Sequence, residues 1–196
     1  MNGKPLMHKA FHLVNRFLLK LLSSNSILQK PDRNLMPAFI IRALTPADSD
    51  WVSQVMISEW SGEMVVAHGE IFYPAILPGF AAFVDAEPVG LLTYNIAGDE
   101  CEIITLNSWR ENLGVGTALI STARRVADQA GCSRLLLVTT NNNLHALQFY
   151  KKRGFVISSV RENAISGSRK LKPQIPLLDN DGQPISDEIE MEIWLK

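Results

Sequence analysis

A glycine-containing turn, Gly114-Val115-Gly116, is the segment of this sequence best suited by residue type to bind an anion. It follows a strand-like run that ends near Leu106, and it opens a stretch with apolar residues at helical spacing. The first amides of a helix lack intrahelical partners and carry partial positive charge, and glycine lets an anion approach the backbone closely. The sequence therefore predicts a phosphate or pyrophosphate site at this turn.

Two common phosphate-binding motifs do not fit the same turn. The dinucleotide motif needs a full Gly-x-Gly-x-x-Gly within a strand–helix–strand unit, whereas the strands before Gly114 are spaced as hairpins. The P-loop needs Gly-Lys followed by Ser or Thr, but Thr117 and Ala118 follow Gly116. Taken alone, the turn leaves the ligand open, and a tight turn with close helix packing is the alternative.

A second segment, Asn143–Phe155, supplies a family resemblance. It reads Asn-Leu-His-Ala-Leu-Gln-Phe-Tyr-Lys-Lys-Arg-Gly-Phe. At every fixed position it resembles the pattern Asn-x-x-Ala-x-x-Phe/Leu-Tyr-x-x-x-Gly-Phe of the GNAT superfamily of acetyl-CoA-dependent N-acetyltransferases. The spacing between the glycine turn and this second segment, with one helix and one strand between them, also resembles the spacing in that superfamily. The resemblance covers about residues 38–160.

One position departs from the family pattern. Where the family carries Gln or Arg ahead of its Gly-x-Gly turn, this chain carries Glu111, and Arg110 lies one residue early. A carboxylate that faces a pyrophosphate is unfavourable, but backbone amides bind an anion whatever the neighbouring side chain is. We therefore expect a cradle made of backbone, from the amides of Leu113, Gly114, Val115, Gly116 and Thr117.

The resemblance implies direct attack of a primary amine on the thioester of acetyl-CoA in a ternary complex, with no metal. It implies that Tyr150 is the general acid near the coenzyme sulfur and that Glu102 is the general base, with Glu100 in reserve and His68 as a further candidate. It also implies that the strand backbone at Ile104, Thr105 and Leu106 pairs with the pantetheine arm of the coenzyme. Asn143, at the start of a helix, is expected to contact the coenzyme as well.

Each of these roles has a plainer alternative. Tyr150 could simply pack in the core, Glu102 could be a solvated charge on an exposed sheet face, and Asn143 could cap a helix. Without a bulge, strict alternation along the strand predicts two faces, Cys101/Ile103/Thr105 and Glu102/Ile104/Leu106.

The composition excludes several classes of protein. The chain has 196 residues, of which 46% are hydrophobic and 20% charged, and a formal net charge of -1, as in an ordinary globular protein. A net charge near zero argues against nucleic acid as a partner. The two cysteines, Cys101 and Cys132, show no metal-binding spacing. We interpret them as reduced thiols of a cytoplasmic protein.

Residues 1–37 form a separate basic segment, with six Lys or Arg residues and one Asp. Apolar residues between Leu13 and Leu22 recur at helical spacing, which predicts an amphipathic helix that could lie on a membrane surface or a partner. The alternative is a domain that begins near Met36, with residues 1–35 an upstream extension or a misassigned start. We expect the acetyltransferase domain to be residues 38–196.

The pattern of the remaining chain predicts one mixed α/β domain. Residues 61–79 are expected to form a long loop and residues 161–187 an irregular excursion, before a terminal strand, Glu188–Leu195, with one face in solvent. The resemblance implies the GNAT fold: a central, mixed, mostly antiparallel sheet with splayed middle strands and flanking helices. A homodimer is compatible with this resemblance.

Two functions follow from these expectations. The first is an N-acetyltransferase that acts on a small-molecule or peptide amine. The second is a non-catalytic module of the same fold that binds or senses acyl-CoA.

Overall fold

The computed structural model describes residues 39–195. The basic segment predicted for residues 1–37 lies outside these residues. Within these residues the strands are β1 (Ile40–Ala43), β2 (Val65–Ala67), β3 (Glu70–Phe72), β4 (Gly79–Val84), β5 (Glu87–Ala97), β6 (Glu100–Ser108), β7 (Arg134–Thr140), β8 (Val156–Arg161) and β9 (Glu188–Trp194). The helices are α1 (Ser49–Trp60), α2 (Val115–Gln129), α3 (Leu144–Lys151) and α4 (Ile165–Leu171).

Seven of the strands form one mixed sheet in the order β1-β4-β5-β6-β7-β9-β8, and β2 and β3 form a separate hairpin. Every pairing in the large sheet is antiparallel except that of β6 with β7. The sheet is covered on both faces, as is usual for an α/β domain. On one face α2 packs its apolar stripe, which includes Leu119 and Ala123, and on the other α1 packs Val52 and Met56.

The contact between β6 and β7 is short, and the two strands then separate. Parallel pairing joins Glu100–Ile103 of β6 to Arg134–Leu137 of β7 and extends no further. Beyond that point β6 pairs only with β5, and β7 only with β9. This opening confirms the splayed middle strands that the resemblance implies, and we call it the β6–β7 split.

A bulge in β6 marks the beginning of the split. Thr105 pairs with Thr93 of β5, but Ile103 pairs with Tyr94, so Ile104 is an extra residue without a partner on β5. The bulge reverses the alternation that follows it, because one inserted residue moves the later side chains to the opposite face. The predicted face Glu102/Ile104/Leu106 is therefore wrong: Leu106 packs with the cluster that holds Cys101 and Ile103.

Two segments predicted to be irregular contain regular elements. Residues 61–79 include the β2–β3 hairpin, whose three-residue strands are too short to show a sequence period. Residues 161–187 include α4, and Lys172 just beyond α4 is buried. The Lys172 ammonium donates hydrogen bonds to the carbonyl oxygens of Trp60 (2.6 Å) and Met64 (2.7 Å), so this segment is tied to the chain that leads into the hairpin.

The terminal strand also differs from its prediction. β9 lies inside the sheet, between β7 and β8, and not at an edge. Its glutamates are largely covered: Glu188 is 2% and Glu192 9% exposed. Arginines explain this burial, because Arg161 pairs with Glu188 and Arg134 with Glu192, and buried carboxylates need such partners. Among the described residues no helix is long and apolar enough to cross a membrane.

The start of α1 generates a stability prediction. The guanidinium of Arg42 donates two hydrogen bonds to Asp48 (2.7 and 2.9 Å), and the Thr45 amide donates a third (2.8 Å). Chiefly through the Arg42 bonds, these contacts lower the pKa of Asp48 to about 2. A lowered carboxyl pKa means that this stabilisation is present above the ordinary value of 3.8 and is lost as pH falls through about 2.

We predict that Asp48→Asn lowers the free energy of unfolding at pH 7 by about 1–2 kcal/mol, a value reduced for the 43% exposure of Arg42. Urea unfolding at pH 7 and pH 2 measures the effect, which should shrink at the lower pH. Asp50→Asn, at an exposed position in the first turn of α1, is the matched control and should change little. An equal loss at both pH values would contradict the assigned role of the carboxylate.

Candidate active site

The predicted cradle is the first turn of α2. Gly114 is the N-cap in the left-handed region (φ 76°), and Asn112 shares this conformation (φ 62°). The amides of Val115, Gly116 and Thr117 have no backbone hydrogen-bond acceptor within residues 39–195, and Ala118 is the first to donate, to Gly114 O (3.0 Å). A Cβ added to Gly114 would meet nothing within 4 Å, so the turn faces open space. This geometry suits an anion bound to backbone amides.

The cradle lies at the open end of the β6–β7 split. A Cβ on Gly116 would stand 3.0 Å from Phe149 Cζ and 3.8 Å from the Cβ of Ser108. Ser108 is the last residue of β6 and Phe149 lies on α3, which follows β7. The absence of a side chain at Gly116 therefore allows α2 to begin directly against the chain segments on the two sides of the split.

Arg153 is a residue that the sequence reasoning missed. Its guanidinium lies over the ring of Phe149, 3.3 Å from the centroid, and donates to Thr117 Oγ1 through Nε (3.0 Å) and Nη2 (2.6 Å). It also donates to Phe149 O (2.6 Å), which fixes its position. A cation thus stands beside the cradle at a position that the family pattern leaves unspecified, so the motif gave no signal for it.

Tyr150 is buried within the main core. It is 8% exposed, and its ring makes edge contacts with Phe149 and Phe155, with centroids 5.3 and 5.5 Å away. Burial raises the pKa of the Tyr150 phenol well above its usual value of 10. The phenol is therefore protonated at neutral pH.

The strand edge predicted to pair with a pantetheine arm is available for pairing. Ile104, Thr105 and Leu106 lie in the split, where the side of β6 that faces β7 has no strand partner among the described residues. The Thr105 hydroxyl already bonds to the Thr93 hydroxyl (2.8 Å), so the free polar groups of this stretch are those of the backbone. Leu113, also predicted to bind, immediately precedes Gly114 and is half-buried.

Carboxylates cluster beyond the closed end of the split, on β6 and β9. Arg134 of β7 binds three of them: Glu100 (2.6 Å), Glu190 (3.1 Å) and Glu192 (2.5 Å). Glu102 is not among these partners. Its side chain is only 13% exposed, and its Oε1 is buried without a hydrogen bond from any described residue.

Among residues 39–195, His68 is the basic group that lies within 4.0 Å of this unpaired carboxylate. Its Nε2 lies 3.5 Å from Glu102 Oε1 and 3.7 Å from Glu190 Oε2, distances that suit charge attraction better than a hydrogen bond. The Glu102 carboxylate raises the pKa of His68 above 6.5, although partial burial acts in the opposite direction. A cavity of about 300 Å³ opens here, with Glu70, Phe72 and Asn95 also in its wall. Sequence reasoning placed His68 in a loop and could not predict this contact.

Several other candidates have different partners. Asn143 is the N-cap of α3, with Oδ1 accepting from the Ala146 amide (3.1 Å), and its contact with a coenzyme stays a prediction. Trp60 donates to Asn107 Oδ1 (3.1 Å), and Glu63 accepts from Ser53 (2.9 Å). The Cys101 side chain is buried, and burial raises the pKa of its thiol, which disfavours the thiolate that a nucleophile needs.

Comparison with known proteins identifies the family. Residues 48–155 match the Acetyltransferase (GNAT) family. Two uncharacterized proteins of Bacillus subtilis (strain 168) are similar to the chain. YdhI is 45% identical over 128 residues, which cover 65% of this chain and 79% of YdhI. YxbD is 40% identical over 141 residues, which cover 71% of this chain and 89% of YxbD.

The solved structures show the same fold. A GNAT family acetyltransferase from Elizabethkingia anophelis, crystallised with acetyl-CoA bound, is 19% identical and superposes with a TM-score of 0.58 over 82% of this chain and 100% of its own. The mixed sheet with its split, the helix start at the open end and the family match over more than half of the chain agree: this protein is a member of the GNAT family of acetyltransferases.

Proposed function

We propose that the protein is an N-acetyltransferase that moves an acetyl group from acetyl-CoA to a primary amine by direct attack in a ternary complex. One observation carries the proposal: Glu102, alone among the carboxylates clustered on β6 and β9, has no arginine or hydroxyl partner, and it lies one residue before the last β6–β7 pair. An unpaired, largely buried carboxylate at the base of the split is suited to act as a general base.

The cradle and the split support acetyl-CoA as the donor. The amides of Val115–Thr117 and the cation of Arg153 would hold the pyrophosphate, and the free edge of Ile104–Leu106 would pair with the pantetheine arm. This chain would bind the same coenzyme that the E. anophelis neighbour carries. The Arg153 guanidinium would supply the positive charge that Glu111 cannot.

The proton balance uses two side chains. As the nitrogen of the amine bonds to the acetyl carbon, Glu102 accepts a proton from that nitrogen. The carbon–sulfur bond breaks, and Tyr150 donates its phenolic proton to the departing thiolate, so the products are an amide and the free thiol of coenzyme A. The phenol carries its proton at neutral pH, as a general acid must before the reaction.

The chemistry of the thiols favours direct attack over a covalent enzyme intermediate. Cys101 is fully buried on the core face of β6, whereas Glu102 points to the opposite face. No base contacts the Cys101 sulfur among the described hydrogen bonds and ion pairs. The two buried free thiols, Cys101 and Cys132, fit the cytoplasmic location that we propose. The acceptor would be a small-molecule or peptide amine that reaches the cavity beside Glu102.

The cradle generates a binding prediction. Gly114→Val should weaken acetyl-CoA binding at least tenfold, because a β-branched residue cannot adopt φ 76° without moving the turn that aims the amides. Glu111→Gln is the matched control, since its side chain is exposed and carries the wrong charge, and it should bind equally well or slightly more tightly. Isothermal titration calorimetry measures both, with thermal unfolding to verify the fold. Weaker binding by Glu111→Gln would show that this side chain contributes to the cradle.

The roles proposed for Glu102 and Tyr150 predict how substitutions at these residues change turnover. Glu102→Gln should lower kcat by about 10²- to 10⁴-fold with little change in acetyl-CoA affinity, because it removes the proton acceptor and keeps the shape. Glu100→Gln is the matched control on the same strand and should retain most of the activity, since Arg134 already holds Glu100. Thiol release from acetyl-CoA with spermidine, tyramine and a short peptide as acceptors is the assay.

Tyr150→Phe should also lower kcat, by about tenfold or more, because the thiolate must then depart without a proton donor. Wild-type turnover in both Glu102→Gln and Tyr150→Phe would contradict the assigned roles. Saturable acetyl-CoA binding by the wild type, with no thiol release on any acceptor, would favour the binding or sensing module.

A further inference from the structure

His68 occupies a turn position that is more often held by Asn, Asp or Gly. It is the first of two residues that join β2 to β3, and both His68 (φ 55°) and Gly69 (φ 78°) have left-handed backbone. Two-residue turns with two positive φ values strongly prefer Asn or Gly at the first position. Side-chain-bearing residues held in this conformation concentrate at functional sites. Histidine tolerates this conformation but is not the usual choice in such a turn, so the side-chain contacts of His68 are what distinguish it.

His68 lies between two carboxylates, of which Glu190 is bound by other side chains and Glu102 is not. Glu190 is already held by Arg134 (3.1 Å) and by the Ser158 hydroxyl (2.7 Å), both on its Oε1, and only its Oε2 faces His68. Glu102 has no such partner, and its buried Oε1 faces His68 Nε2 at 3.5 Å. His68 is thus a basic group positioned to exchange a proton with Glu102.

The imidazole also has a route to solvent. Its side chain is 26% exposed, twice the 13% of Glu102. His68 lies in the wall of the cavity that contains Glu102, and also in the wall of a second cavity of about 420 Å³ beside Arg161, Ser168 and Lys170. A proton that reaches Nε2 is therefore closer to water than one on Glu102.

We propose that His68 is a positioning residue that removes the proton collected by Glu102, an inference that rests on the role of Glu102 proposed above. The amine nitrogen gives a proton to the Glu102 carboxylate as the new amide bond forms. The carboxyl then passes that proton to Nε2 of neutral His68, and the imidazolium releases it to water. Glu102 is left as a carboxylate, ready for the next acceptor, and no electrons are exchanged.

The surrounding charges determine the pH at which this transfer works. Glu102 on β6 and Glu190 on β9 raise the pKa of His68, whereas partial burial and Arg161 on β8 lower it, with a net shift above 6.5. Arg134 offsets Glu190, and Glu188 offsets Arg161. Below its pKa His68 is already protonated and cannot accept a second proton, so kcat should fall as pH drops through that raised value.

Two substitutions test the inference without threatening the fold. His68→Gly and His68→Asn both suit the left-handed turn better than histidine, so the thermal unfolding midpoint should stay equal or rise. With saturating acetyl-CoA and the best acceptor of the three amines above, kcat should nevertheless fall about tenfold or more in both variants. The acid limb of the kcat–pH profile should move to lower pH by at least one unit, and the KM for acetyl-CoA should change less than twofold.

Added imidazole provides a readout that a structural role would not give. It should restore part of kcat in His68→Gly, where the side chain is removed, and less in His68→Asn. His145→Gln, at an exposed position on α3, is the control and should match the wild type throughout. An NMR titration of the His68 ring should show a lower midpoint in Glu102→Gln than in the wild type.

The outcomes separate this inference from the proposed function. If Glu102→Gln turns over at the wild-type rate, or if the wild type acetylates no amine, both the role of Glu102 and that of His68 are overturned. If Glu102→Gln is impaired but His68→Gly and His68→Asn keep the wild-type kcat and acid limb, only the role of His68 is wrong. A lowered kcat with an unmoved acid limb and no rescue by imidazole would assign His68 a structural role and overturn the inference.

Discussion

The four-residue parallel contact between β6 and β7 is the constraint on which the rest of the structure depends. Parallel neighbours require a crossover, and here that crossover contains α2, which must begin at the carboxyl end of β6. The strands separate at that same end, directly after Ile103, where the bulge at Ile104 interrupts the regular pairing of β6. One topological rule and one inserted residue therefore bring unpaired helix amides and an unpaired strand edge to the same opening, the usual location of ligands in α/β sheets.

The carboxylates beneath that opening differ in whether an arginine neutralises their charge. Arg134 binds Glu100, Glu190 and Glu192, which allows strands β6 and β9 to carry acidic residues into a covered part of the sheet. The Arg134 contacts do not extend to Glu102, whose basic partner among residues 39–195 is His68, and an imidazole can gain and lose a proton. A guanidinium is permanently charged, whereas the His68 imidazole can itself accept a proton, as the proposed transfer requires.

The parts of the fold that could be predicted from sequence are those with a long period or a specific motif. The stripe of α2, the pattern Asn143–Phe155 and the run of β7 lie where the sequence predicted them, and the family resemblance is confirmed. The bulge at Ile104 has no Gly or Pro to signal it, so strict alternation failed there. The buried position of β9 depends on Arg134 and Arg161, which are distant in sequence from the glutamates they neutralise.

The coenzyme half and the acceptor half of the candidate site differ in predictability for a physical reason. The cradle and the strand edge use backbone groups, whose placement follows from helix starts and strand pairing with few demands on side chains. The acceptor side uses the side chain of His68 on a hairpin of two three-residue strands, and the chain leading into that hairpin is anchored by a buried lysine more than a hundred residues away in sequence. Neither a period nor a motif encodes such an arrangement. Loops and short hairpins commonly carry binding specificity on a conserved scaffold, which is consistent with an acceptor site on the β2–β3 hairpin, as we propose.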